Sequence, residues 1–484
     1  MKKYSSLLIL IAGIFITSCK KYLDFPPEGK VPATNFFQTP DDAAKAMTSM
    51  YGNLRTWDMY GGFNYLLVNE LPSDDIIKGS EPGDGGANNM YHSFQFQKTE
   101  GTFNSYWNTR YQQINLSNQV LSNVPGINMD QTLKNRYFAE AKFLRAFSYF
   151  DLLRAFGGVP IVDKVPVGPE GMLRKTSDET YDFIEKDLKD AIAVLPSDLP
   201  PAELGRATKW AAEFLLAKVY LYRQKYNECK TLTDEIISSN KFSLYGDFYK
   251  LFRPEQEFCS ESIFEVVSTY LNENSGISSC QYAQIRGVRG SGTESWGWGW
   301  GTPSDNLVKA FDNAGDVVRK KVTILTRGDI TPDGDLVAGI QVMDGASEPR
   351  YNGKAYVPTR IAQGKSGGTQ NSDQNIRLMR YAEVLLMNAE AAVRTGGNGA
   401  ASLNLVRRRA GLSDITSPTL LQILEERHLE LAGEGDRFWD LVRTGRAAEV
   451  LGPQGFVAGK NELFPIPDLQ VQLSGGQLTQ NPGW

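Results

Sequence analysis

Apolar positions recur at helical spacing over residues 105–124, 134–156, 177–195 and 381–409. An earlier helix is announced by its start. Thr39-Pro40-Asp41-Asp42 offers a hydroxyl cap, a proline at the first helical position and acids in the first turn, which predicts a helix to about Arg55. Gly157-Gly158 should stop the second of these helices and Pro196 should end Ser177–Leu195. Between Trp57 and about Thr102 the chain is rich in Gly, Asn, Asp and aromatics with no sustained period, and is read as a long loop region.

Some of these helices look like copies of one unit. In Leu216-Ala217 with Tyr220, Tyr226 and Cys229, large, small and aromatic residues fall at the offsets of a tetratricopeptide hairpin. The small residues Ala217 and Cys229 stand where two packed helices need close approach, and Ala389 and Ala401 repeat that spacing. A third, interrupted unit would join Lys134–Phe156 to Ser177–Leu195. Unrelated amphipathic helices could give single matches; recurrence favours repeats. The expected fold is mainly α, a scaffold of tetratricopeptide-like helical hairpins with a loop-rich irregular subdomain carrying a few short strands. Gly, Ser, Asn and short apolar runs dominate 242–368, where Ser262–Val267 reads as a buried strand and Ser304 to about Phe311 as a helix. The organisation expected is therefore one domain over 36–484, with helical scaffold at about 36–241 and 369–484 and the irregular insert at about 242–368.

The N-terminus adds an address. Met1-Lys2-Lys3 precedes an apolar run from Leu7 to Ile16, too short for the roughly 20 residues of a membrane span. It ends in Ile16-Thr17-Ser18-Cys19, which resembles a bacterial lipoprotein box. That resemblance implies a signal peptide over 1–18, lipid on Cys19 and a Pro- and Gly-containing tether over 19–35. Several acyl chains on one residue would hold durably, at about 0.8 kcal/mol per buried methylene.

Composition narrows the function classes. The 484 residues are 41% hydrophobic and 22% charged, with a net charge of −5 and no long basic run, so nucleic acid is not an expected partner. Cys229, Cys259 and Cys280 lack metal-ligand spacing. Whether Cys259 and Cys280 pair is left open. The only histidines are His92 and His428, and no HExxH, phosphate loop or GxSxG elbow is present. An enzyme is not expected, nor is a cofactor; a loop-bound Ca²⁺ stays open. Glu425, Glu426, Arg427, Glu430, Glu434, Arg437, Asp440 and Arg443 crowd the C-terminal helices, and their mixed charge predicts a structural ion-pair network in which Arg437 could pair with Asp440.

Several segments together resemble one family. Ala139-Glu140-Ala141-Lys142-Phe143-Leu144-Arg145-Ala146, running on to Phe156-Gly157-Gly158-Val159-Pro160, is similar to the signature helix of SusD/RagB-type outer-membrane lipoproteins. So are Arg380–Leu386 with Ala389-Glu390-Ala391, Asn404–Leu412, Glu426–Arg443, Phe464-Pro465-Ile466-Pro467 and Gln480-Asn481-Pro482-Gly483. His428 departs from the pattern, where an Arg is more usual. The resemblance implies a lipoprotein at the outer face of the outer membrane that binds a nutrient, most often a glycan. It also implies a partner, a SusC-like TonB-dependent transporter faced by the helical repeats, with the ligand site in irregular loops elsewhere. Peptide cargo on the same architecture, or a protein-assembly scaffold without small ligand, are the alternatives.

Glycan chemistry selects the candidate site. Sugars pack C–H faces on flat rings and need planar hydrogen-bonding partners for their hydroxyls. Trp296, Trp298 and Trp300 alternate with glycines, and in a strand all three would share a face, although such rings can equally serve the core. Trp296 and Trp298 are taken as ligand contacts, with Asp74, Asp75, Asn88, Asn89 and Tyr91 from the early loops. Tyr282, Arg286 and Arg289 complete the set.

Overall fold

The computed structural model describes residues 36–165, 173–268, 280–290, 297–362 and 374–484. The signal segment, Cys19, the tether and Trp296 lie outside the described residues.

Helix α1, Pro40–Leu54, begins as its sequence predicts: Thr39 and Asp42 form a reciprocal capping box behind Pro40. Six further helices continue the chain and stack on one another in order. They are α2 (Gly101–Asn123), α3 (Gln131–Phe156), α4 (Ser177–Ile192), α5 (Lys209–Tyr222), α6 (Tyr226–Ser238) and α7 (Tyr381–Arg394). Residue 239 to residue 380 leave and return between α6 and α7, yet those two helices are direct neighbours. α8 (Ala400–Arg409) and α9 (Leu420–Leu431) then pack on α7, and α10 (Arg437–Arg443) follows α9. The fold is mainly helical with tetratricopeptide-like hairpins, as the periodicity predicts.

The hairpin details hold in one repeat and shift in another. Ala217 and Cys229 are fully buried where α5 meets α6. At α7/α8 the close approach belongs to Gly399, not Ala401: a Cβ on Gly399 would lie 2.5 Å from the Ala389 carbonyl oxygen, while Ala401 is exposed. Gly157 ends α3 at φ 74°, which only glycine adopts cheaply.

Short antiparallel strand pairs tie the irregular parts to this stack. β1 (Ile76–Gly79) pairs with β3 (Trp300–Pro303), β2 (Ser262–Val266) with β6 (Ile376–Arg380), and β4 (Ile324–Thr326) with β5 (Arg350–Asn352). The stretch after Trp57 is not simply loop. It winds through π turns at Trp57–Gly61 and Leu66–Glu70 around a short helix at Phe63–Tyr65. Turns closed i→i+5 displace apolar positions from the 3.6-residue period, which hides them from a helical-spacing reading.

The C-terminal charges form a buried lattice. Arg380 reaches Glu430, Glu261 (3.0 Å) and both carboxylate oxygens of Glu434 (2.7 and 2.8 Å). Arg427 links Glu383 (3.1 Å) and Asp440 (3.1 Å), and Arg443 links Asp440 and Glu390, each at 2.7 Å. Arg437 does not pair with Asp440. It reaches instead across the molecule to Asp74.

Candidate functional site

β1 and β3 run side by side and carry the loops of the site at their ends. Gly79 faces Trp300 in the ladder, and a Cβ on Gly79 would lie 2.6 Å from the Gly299 carbonyl oxygen and from the Thr302 side chain. The two loops can approach this closely only with glycine there. Ser80 then donates its N–H to the same Gly299 carbonyl at 2.6 Å. Backbone hydrogen bonds from Gly297, Trp298 and Gly299 to Val288, Gln284 and Gly287 fasten the tryptophan segment to the loop behind it.

Three rings emerge together at this junction. Trp298 stacks on Phe63 with centroids 5.9 Å apart and planes 17° from parallel. Trp57 meets both edge-on, at 6.2 Å from Trp298 and 5.3 Å from Phe63. Trp57 is 38% exposed, and the other two are half-buried. Trp300 lies beneath as core, 5% exposed, with its edge on Phe63 at 4.9 Å and its Nε1 donating to Asp84 at 3.1 Å. The glycines interrupt the single-face strand expected of the tryptophans: Gly299 and Gly301 sit at φ 72° and 62°, so Trp298 and Trp300 contact Phe63 from different directions.

The polar border is built from the early loop. Arg289 donates to Asp84 (2.6 Å) and Ser80 (2.9 Å) and reaches Glu81 (3.3 Å). Burial works against the charged form of Asp84, but hydrogen bonds from Ser80 and Trp300, with Arg289 and Lys78 nearby, hold its pKa below the ordinary value. Asn88 closes the turn onto the Gly85 carbonyl at 3.1 Å, and exposed Asn89 donates to Asp344 at 2.8 Å. A cavity of about 330 Å³ opens where the end of α1 meets the segments around Leu204 and Val267, and none of the three rings lines it. It is lined by Arg55, two residues before Trp57, with Tyr51, Leu204, Arg206 and Val267.

Thus Trp298 and Arg289 stand at the β1/β3 junction, and Asn88 and Asn89 follow on the chain after β1, bonded to Gly85 and Asp344. Five other expected contacts are corrected by the structure, because they lie in the interior with partners of their own. Arg286, wholly buried, pairs with Glu70 at 2.6 Å and covers the ring of Tyr282, itself buried. Tyr91 packs between Phe96 and Phe103, and burial raises its pKa to about 12. Asp74 receives the fork of Arg437 at 2.7 and 2.9 Å, and Asp75, 1% exposed, is bound by His428. His92 also serves this segment, its Nδ1 3.2 Å from the Leu71 carbonyl oxygen. Asp74, Asp75 and His428 offer ligand atoms within 4.8 Å of one another, but Arg437 already engages both oxygens of Asp74.

Sequence reasoning missed Trp57, Phe63, Asp84 and Lys78. For Lys78 a signal existed: it is the one charged residue in the otherwise apolar and glycine strand Ile76–Gly79.

Comparison with known proteins fits this architecture. Residues 22–221 match a family model described as starch-binding associating with outer membrane, and residues 341–484 match that of the SusD family. A SusD-like protein of Formosa agariphila is 29% identical over the full length of both chains. The solved structure of a laminarin-binding SusD-like protein is 28% identical, with a TM-score of 0.78 over 92% of this chain and 100% of that one. Surface glycan-binding protein A from Bacteroides thetaiotaomicron, in complex with laminarihexaose, is 25% identical at the same TM-score and coverage. The chain belongs to the SusD family.

Proposed function

We propose that this protein is an outer-membrane lipoprotein, anchored through Cys19, that binds an oligo- or polysaccharide and passes it to a SusC-like TonB-dependent transporter. One observation carries the glycan reading: Trp57, Phe63 and Trp298 form an open aromatic face bordered by hydrogen-bonding loops. Stacked rings offer a flat apolar surface to sugar C–H groups, and the bordering carboxylates and amides suit hydroxyls. The laminarin- and laminarihexaose-binding relatives support a neutral β-glucan as the first ligand to try. The lipoprotein box supports the anchor, and the outer-membrane association named for the matched family supports the location. The glycan-binding relatives support binding as the role, and both histidines have structural partners.

Calorimetry with laminari-oligosaccharides and a wider oligosaccharide panel tests the reading. Saturable binding that is weakened in Trp57→Ala and Trp298→Ala is expected. Binding of peptides with no sugar bound would overturn it. Co-purification after mild solubilisation should recover a large β-barrel transporter, and recovery of the lipoprotein alone would remove the hand-over step.

A further inference from the structure

The ring platform has a keystone that touches no ring face open to solvent. Lys78 is fully buried, and its ammonium faces inward to the loop that β1 leads into. Nζ donates to the carbonyl oxygens of Gly79 (2.8 Å), Asp84 (3.0 Å) and Glu81 (3.1 Å). The carboxylate of Asp344 lies 3.1 Å away, and the ring of Trp300 is 5.0 Å off. Three convergent carbonyls and a carboxylate around one positive centre resemble the oxygen cage of a bound metal ion, with a tethered ammonium in its place.

Those contacts tie Lys78 to the loop that forms the border. The curl of residues 79–84 brings Asp84 under Trp300 and Arg289, while Asp344 in turn holds Asn89. The same contacts leave every cation of the loop paired and one carboxylate in excess. Lys78 and Arg289 stand against Glu81, Asp84 and Asp344, so Arg289 is already held by two carboxylates. The turn bearing Trp57 adds Arg55 and Asp58, one charge of each sign. Among the described residues named here, four carboxylates (Glu81, Asp84, Asp344 and Asp58) stand against three cations (Lys78, Arg289 and Arg55).

We propose that Lys78 is the positioning residue of the aromatic platform, and that the carboxylate-rich loop it builds commits the platform to neutral rather than anionic saccharides. This rests on the glycan-binding reading above. A uronate or sulfate group would meet carboxylates at the border and would have to displace one of them to gain Arg289. Hydroxyls meet no such cost, since the bordering oxygens accept from them.

Two measurements test it. In the first, laminarihexaose binding is followed by calorimetry for the full chain and for Lys78→Ala. Affinity should fall at least tenfold, and propylammonium chloride, which matches the three carbons and the ammonium that the substitution removes, should restore it where sodium chloride at equal ionic strength does not. A folded variant with unchanged affinity, or a loss that the amine does not repair, would overturn the positioning role. In the second, the unmodified protein is run through native gels containing neutral glucans, mannan or xylan, or the polyanions alginate and carrageenan. Retardation by a neutral polymer and weaker or no retardation by the polyanions is expected. Equal or stronger retardation by a polyanion, relieved by salt, overturns the inference while leaving glycan binding intact. Retardation by neither class overturns the glycan reading and this inference with it. The second measurement needs no variant, so a failure of Lys78→Ala to fold leaves it decisive.

Discussion

Two charge-rich regions of this protein use ions in opposite ways. In the C-terminal lattice, buried arginines and carboxylates answer one another: Arg380 alone engages Glu261, Glu430 and Glu434. At the ring platform a single buried ammonium answers mainly backbone carbonyls, and the remaining charges pair at the edge of solvent. The first arrangement joins elements distant in sequence, linking β6 to α9 and to the Glu261 segment before β2. The second fixes the shape of one short loop. Stability should therefore concentrate in the lattice and ligand affinity in the loop, and variants can separate the two.

The largest effect expected is Arg380→Met. It leaves Glu430 with Arg319 and Arg409 but strips Glu434 of one of its two cations, and breaking a buried pair from one side costs about 3–5 kcal/mol. Urea unfolding should show that loss. If the variant unfolds at the wild-type midpoint, the lattice is not what secures the C-terminal helices.

Acid should weaken the same region next. Burial disfavours the charged Glu430, but Arg409, Arg380, Arg319 and Lys354 overcome it and hold its pKa far below the ordinary 4.5. Asp440 is likewise held far below 3.8, against burial, by Arg427 and Arg443. Both pKa values are depressed in the folded state, so the unfolded chain binds more protons in the acid range. Their stabilisation is complete above the unfolded values and drains away as pH falls below about 4.5 and on towards the folded values. Unfolding midpoints measured from pH 7 to pH 3 should fall mainly below that point, and Arg380→Met should flatten the dependence. An equal slope in both proteins would remove Glu430 as a source.

Trp298→Ala tests the other region. It removes one half of the Phe63 stack and should weaken glycan binding by about 1–3 kcal/mol, as for an anchor ring in an interface. Trp298 takes part in none of the lattice's ion pairs, so the urea midpoint should move far less than for Arg380→Met. A large fall in stability with little change in affinity would show Trp298 to be core.

The comparison also explains what could be read from the sequence. Helices were legible because capping residues and a 3.6-residue period are local: Thr39 with Asp42, and Gly157 at the end of α3, act within a turn of themselves. Trp298 and Arg289, singled out by their side-chain chemistry, stand at the β1/β3 junction. Asp74 and Asp75 were misplaced because their partners stand 363 and 353 residues away, at Arg437 and His428. In a loop without periodicity nothing local says whether a carboxylate faces water or a distant arginine. Trp57 and Phe63 were hidden by π turns, and Lys78 by an oxygen cage that exists only after the loop has folded.

The smallest effect expected sharpens the contrast within the charged helices themselves. Arg408 pairs with Asp414 on the surface of α8, next in sequence to Arg409, which is buried against Glu261 and Glu430. Both are arginine–carboxylate contacts on the same helix, and they differ in exposure: Arg408 is 62% exposed and Arg409 is 4%. Solvent screens the first pair and already satisfies both groups when it opens, so little is lost. Arg408→Ala should leave the thermal midpoint and glycan affinity within measurement error. Arg409→Ala should lower the midpoint clearly, because Glu261 and Glu430 would each lose a buried partner. If the two substitutions cost the same, the number of charges rather than their burial would govern this lattice, and the contrast drawn with the Lys78 loop would lose its physical basis.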